Sequence, residues 1–264
     1  MKTCILRNNC KKAEKCKSPC PMYIQLQGLN NKGGKQGDAL IPSEYKATTL
    51  TTARARESQP KVYAAMDTYK ESFFKAFNED RTTVEDRMKD LYFFSLETGT
   101  GKTETATAML NEFLKYSYFR SIMKEQPEDF VNPIFFLEMP KLQKLYSQMT
   151  RQGVPLDIKE AAGREYYSLL REAKKARLVV FDEMGLRDVT EAFAQDVLDL
   201  INKRTNENLT SIFTSNVSME DTERIYGRRI FDRIRRWNLT FEFVGEVNVE
   251  NLSKLTLSNM LSKL

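Results

Sequence analysis

The sequence predicts an α/β protein with a mainly parallel sheet covered by helices on both faces. Five short, nearly continuous apolar runs are separated by amphipathic stretches whose apolar residues recur at helical spacing. A Gly-rich turn also stands between the first run and the helix that follows it. Strands that alternate with helices in this way pair in parallel, and ligands of such sheets sit at the carboxyl ends of the strands.

The chain of 264 residues is long enough for one full α/β domain and a small appendage, and its 41% apolar content supports a sizeable core. The longest apolar runs are far shorter than the roughly 20 residues a bilayer requires. The first residues, MKTCILRNNCKK, carry no secretory signal pattern, so a soluble protein of the reducing cytoplasm with no membrane contact is expected. There is no His anywhere, which excludes His general bases and His metal ligands. The net charge of +5 is uneven: Lys2, Arg7, Lys11, Lys12, Lys15, Lys17, Lys32 and Lys35 face only Glu14 in the first 37 residues. Such a segment is a solvated basic tail or attracts a polyanion or an acidic partner face.

All four cysteines, Cys4, Cys10, Cys16 and Cys20, fall in this segment. Four thiolates in a stretch that builds no core of its own suit a tetrahedral structural Zn²⁺, with free thiols or an iron–sulfur cluster as alternatives. Residues 1–27 are therefore expected as a cysteine-rich module. GLNNKGGKQGD, residues 28–38, has four Gly and no apolar periodicity, and the chain from 28 to 47 is expected as a flexible linker. The main domain then spans 48–264.

From Val62, apolar residues at 62, 65, 66, 69 and 73 form one helical face. The expected strands are 91–95 (LYFFS), 133–139 (PIFFLEM), 178–184 (LVVFDEM), 211–216 (SIFTSN) and 239–245 (LTFEFVG). Between them Ala106, Met109, Leu110, Phe113 and Leu114 share one helical face, and Ala194, Val197, Leu198 and Ile201 share another.

Three strand tips carry chemistry. SLETGTGKTETA, residues 95–106, is a phosphate-binding loop in which Leu96 replaces the first Gly. Gly99 and Gly101 let backbone N–H groups approach phosphate, Lys102 supplies a charge for the β and γ phosphates, and Thr103 supplies a hydroxyl for Mg²⁺. The candidate nucleotide set is Thr98, Gly99, Thr100, Gly101, Lys102, Thr103 and Glu104. If Leu96 must adopt a left-handed conformation it costs about 1–2 kcal/mol but removes no ligand. The third strand ends in Asp182 and Glu183: Asp182 is placed to hold the Mg²⁺ with Thr103, and Glu183 to polarise an attacking water. The fourth ends in Thr214, Ser215 and Asn216, where Asn216 could orient that water; Ser218 with Asp221 matches a helix N-cap. Beyond lies YGRRIFDRIRRW, residues 226–237, a basic helix face in which one or two arginines could be presented to a phosphate in trans.

Taken in order, these four motifs over residues 60–245 resemble the AAA+ ATPases of bacterial replicative-helicase loaders, the DnaC/DnaI type. The resemblance implies an AAA+ P-loop domain without a helical lid. It implies Lys102 and Thr103 as Walker A, Asp182 and Glu183 as Walker B, Asn216 as sensor 1, Arg233 as an arginine finger acting on a neighbour's ATP, and Arg229 as a second arginine of that segment. It further implies ATP and Mg²⁺, a hexameric helicase gripped by the cysteine-rich module, single-stranded DNA, self-association, and a bacterial or phage-infected setting. Lys141, Lys144 and Arg151 beside Tyr146 offer phosphate contacts and a stacking ring, or an ordinary amphipathic helix. A transposition ATPase of the IstB type and a non-hydrolysing adapter are the alternatives.

Overall fold

The computed structural model describes residues 3–29, 32–78 and 87–245. The elements in chain order are α1 (Pro21–Gln27), α2 (Gly34–Asp38), α3 (Ala55–Ser58), α4 (Pro60–Tyr69), β1 (Asp90–Phe94), α5 (Lys102–Met123), β2 (Ile134–Glu138), α6 (Met139–Thr150), α7 (Leu156–Lys175), β3 (Leu178–Asp182), α8 (Glu191–Asn206), β4 (Thr210–Ser215), α9 (Met219–Tyr226), α10 (Arg228–Trp237) and β5 (Asn238–Glu242).

The five strands form one sheet in the order β2-β3-β4-β1-β5, and every pairing is parallel. Side chains alternate between faces at period two, and each face has its own core. Leu91, Phe93, Leu178, Val180 and Ile212 point to the face covered by α4 and α5. Tyr92, Val179, Phe181 and Phe213 point to the face covered by α6 to α10. Because β1 and β3 are buried on both sides, they read as nearly continuous apolar runs, whereas β4 (TSIFTS) is equally buried with only Ile212 and Phe213 apolar. The predicted face of α5 (Ala106, Met109, Leu110, Phe113, Leu114) is wholly buried. Ser218 caps α9 by accepting a hydrogen bond from Asp221 N at 3.2 Å.

One expectation needs correction. The segment from 28 to 47 is not a free linker within its described residues. Gln36 is fully buried, and its Nε2 donates to Asn111 Oδ1 on α5 at 2.6 Å and to the Lys46 carbonyl at 2.8 Å. Ala39 and Ile41 join the core, and Phe136 N donates to the Ala39 carbonyl at 2.8 Å, which covers the outer edge of β2. Ahead of it, Ile5, Leu6 and Leu26 belong to the same core, and Gln27 bridges Ile5 N and the Thr3 carbonyl. Side-chain amides satisfy the backbone here, and the composition of the segment gave no sign of it. The expected absence of a helical lid falls on residues 246–264, outside the described residues. No helix among the described residues is long and apolar enough to cross a membrane.

Candidate nucleotide-binding site

At the carboxyl end of the sheet lies an open cleft of about 830 Å³. The loop between β1 and α5 forms its floor. Gly99 (φ 76°) and Gly101 (φ 94°) both occupy the left-handed region, and a Cβ on Gly101 would lie 2.3 Å from that of Ala55. A Cβ on Gly99 would meet nothing within 4 Å, so the backbone conformation, not space, is what favours Gly there. Leu96 is not among the non-Gly residues with positive φ, so the substitution at the first loop position strains nothing; its side chain is 77% exposed.

Lys102 opens α5 and its Nζ donates to the Glu97 carbonyl at 3.1 Å, folding the ammonium back over the loop. Burial lowers its pKa, while the nearby Asp182 and Glu183 charges raise it. Thr103 Oγ1 donates to Asp182 Oδ1 at 2.9 Å, which joins the two residues expected to hold Mg²⁺. Two hard oxygen donors beside a loop built for phosphate fit that ion, and it would supply neutralisation of phosphate charge. Burial pushes the Asp182 carboxyl up to about 6, opposed by hydrogen bonds from Thr214 and Thr103.

Thr214 is a positioning residue whose role sequence reasoning passed over. Its hydroxyl donates to Asp182 Oδ1 at 2.7 Å and accepts from Glu183 N at 3.0 Å, and its carbonyl accepts from Met184 N at 2.8 Å. These bonds hold Glu183 at φ 61°, a strained conformation that leaves its carboxylate exposed on the cleft wall. Asn216 stands on the same wall, so close that a Cβ on Gly185 would lie 1.7 Å from its Oδ1.

Among the expected nucleotide set, Thr98 to Thr103 line the cleft together with Glu183 and Asn216. Glu104 also reaches it, but its carboxylate accepts from Arg54 N at 3.1 Å and Ala55 N at 3.0 Å, so it anchors the opposite wall. Gln59 ties that wall to the Val244 carbonyl after β5 at 2.7 Å. Arg229 and Arg233 are elsewhere: both are exposed on α10 and absent from the cleft lining. Tyr45, Arg54, Gln59 and Arg187 line the cleft although no sequence pattern marks them.

The expected zinc centre is not formed. Among the described residues no group of three or more His, Cys, Asp or Glu side chains is placed to hold a metal, and none of the four cysteines is in a disulfide. Burial raises the pKa of Cys4, and Cys20, Cys16 and Cys10 act on it only as neighbouring charges. The donor set is chemically suitable, but the geometry does not close on an ion.

A sheet in the order 2-3-4-1-5 with a phosphate loop after β1 and acids after β3 matches solved structures of known architecture. The crystal structure of DnaI superposes with a TM-score of 0.52 at 20% identity, covering 78% of this chain and 93% of DnaI. That of the DnaC helicase loader gives 0.51 at 16% identity, covering 77% of this chain and all of that one (100%). The chain has the fold seen in DnaI and in the DnaC helicase loader. A protein described as a primosome component of Streptococcus pyogenes serotype M3 shares this fold, with a TM-score of 0.50, 20% identity and coverage of 79% and 92% of the two chains. The family of the IstB-like ATP binding protein matches residues 144–234. That stretch of the AAA+ domain holds Asp182, Glu183, Asn216 and Arg233 and begins after the phosphate loop. No curated protein matches the chain in sequence.

Proposed function

We propose that this protein is an ATP-dependent loader that binds a replicative DNA helicase and helps place it on single-stranded DNA. One observation carries the reading. Thr103 lines the nucleotide cleft and is bonded to the buried Asp182 behind it, whereas Arg233 stands exposed on α10, off the lining of that cleft. An arginine so placed serves a neighbour's nucleotide, which makes ATP at a subunit interface a switch for assembly.

In the cleft, Lys102 and the loop N–H groups hold the phosphates. Thr103 and Asp182 would hold Mg²⁺. Glu183 accepts the proton of the attacking water and Asn216 orients that water, while Arg233 of an adjacent subunit stabilises charge on the transferred phosphoryl group. Residues 1–27 then serve as the helicase-gripping segment, packed against the core of the ATPase domain. This role belongs to the cytoplasm of a bacterial cell, phage-infected or not.

ATP turnover of the purified chain, with and without single-stranded DNA, tests the reading alongside Lys102→Ala and Arg233→Ala. The wild type is expected to hydrolyse ATP, Lys102→Ala to lose binding, and Arg233→Ala to bind without hydrolysis. A wild type that neither binds nor hydrolyses ATP would leave the non-hydrolysing adapter. The match to the IstB-like family over 144–234 favours a transposition ATPase as second reading. Preference for duplex over single-stranded DNA, with no helicase co-sedimenting, would select it.

A further inference from the structure

The cleft is lined by three cations, Lys102, Arg54 and Arg187. Two have protein partners. Lys102 Nζ donates to the Glu97 carbonyl at 3.1 Å, and Arg54 Nε meets Glu104 at 3.4 Å. Among the described residues the Arg187 guanidinium has neither an ion pair nor a hydrogen bond.

Its backbone, in contrast, is fixed. Leu186 is buried and its N–H donates to the Met184 carbonyl at 2.9 Å. Gln143 Nε2, from α6, donates to the Arg187 carbonyl at 2.9 Å and to that of Asp188 at 3.3 Å. Holding the main chain from both sides while leaving a five-donor fork unpaired is how a protein prepares a contact for an oxyanion.

The position of Arg187 says which oxyanion. It belongs to the loop that follows Asp182 and Glu183 and that packs through Gly185 against Asn216, on the wall where the terminal phosphate would meet the water-activating groups. Arg54 stands on the other wall, beside Glu104 and Ala55. The acids Asp182 and Glu183 stand at the end where ATP is itself most negative, and Lys102 and the Mg²⁺ that Thr103 and Asp182 would hold offset part of that charge. A further cationic side chain on that wall adds a directed contact to the terminal phosphate.

We propose that Arg187 contacts the γ-phosphate in cis and sets the preference of the site for ATP over ADP. The inference rests on the nucleotide-binding reading above. ADP lacks the group that Arg187 would grip, so the loop after β3 distinguishes the two states and passes the difference to α6 through Gln143.

The test is calorimetric titration with a non-hydrolysable ATP analogue and with ADP, each with Mg²⁺, for the wild type, Arg187→Ala, Arg187→Lys and Lys102→Ala. Losing a charge-assisted contact to the terminal phosphate is expected to weaken the ATP analogue about tenfold or more, and ADP less than about twofold. Arg187→Lys should recover part of the loss, and Lys102→Ala should weaken both ligands. Equal effects of Arg187→Ala on the two ligands, or none, would overturn the role of Arg187 while leaving the nucleotide site standing. A wild type that binds neither ligand would overturn both.

Discussion

Asp182 is 7% exposed, and burial raises its carboxyl to about 6, well above the ordinary carboxylate range. A raised carboxylate pKa means that the folded state holds a proton the unfolded chain has already released. The contribution to stability is therefore full below about pH 4 and is lost as pH rises through about 6. The loss is on the order of 3 kcal/mol without nucleotide, by the 1.36 kcal/mol that each pKa unit carries. Asn at this position keeps an acceptor for Thr103 and Thr214 without the charge. Asp182→Asn is thus expected to raise stability at pH 7–8 and to flatten its pH dependence, as urea unfolding between pH 4 and 8 would measure. The same variant should lose Mg²⁺-dependent nucleotide binding, the familiar opposition of stability and function at a prepared site.

At the scale of elements, α5 connects the site to the amino-terminal segment. Its first turn carries Lys102 and Thr103, and further along Asn111 accepts from Gln36 and donates to the Tyr45 carbonyl at 3.0 Å and the Thr48 carbonyl at 2.8 Å. Truncating Gln36 would strand the Asn111 Oδ1 and weaken the pairing of the Lys46 carbonyl. Gln36→Ala is expected to cost about 2–4 kcal/mol, whereas a solvated linker residue would cost under about 0.5 kcal/mol. Chemical denaturation of the full chain decides between the two. Glu104 extends the same connection by gripping the backbone of Arg54 and Ala55 one turn from the phosphates.

At the scale of the whole molecule, the proposed function assigns Arg233 to the nucleotide site of a second copy. Arg233 lies on a helix whose exposed face also carries Arg228, Arg229, Arg235 and Arg236, with Ile230, Phe231 and Ile234 buried beneath. If Arg233 acts in trans, Lys102→Ala and Arg233→Ala should each be inactive alone, and an equimolar mixture should recover turnover. Within mixed assemblies, the arginine of the Lys102→Ala subunit completes the intact loop of its Arg233→Ala neighbour. Mixtures that stay inactive at concentrations where the chain self-associates would place Arg233 outside the site.

Local chemistry made much of this legible in advance. Apolar runs buried on both faces marked β1 and β3, because a central parallel strand needs no polar face. Spacing marked Gly99, Gly101, Lys102 and Thr103, because a phosphate cradle is built from consecutive backbone N–H groups. The tips after β3 and β4 were visible for the same reason: a carboxylate or amide at the end of an apolar strand is conspicuous. Contacts across long sequence separations were not visible in that way. Gln36 meets a partner 75 residues away and Gln59 one 185 residues away, and a polar residue buried by such a bond looks like any solvated one in the sequence. Arg187 entered the site for the same reason, through the packing of the loop after β3 against Asn216 and Gln143. The chain alone determined the five strands, the helix after the glycine-rich loop and the spacing of the candidate phosphate ligands, since these follow from periodicity and spacing within a dozen residues. Only the tertiary structure decided that the amino-terminal segment is packed, that the four thiols do not close on a metal, and which cations line the cleft, since each depends on distant side chains meeting.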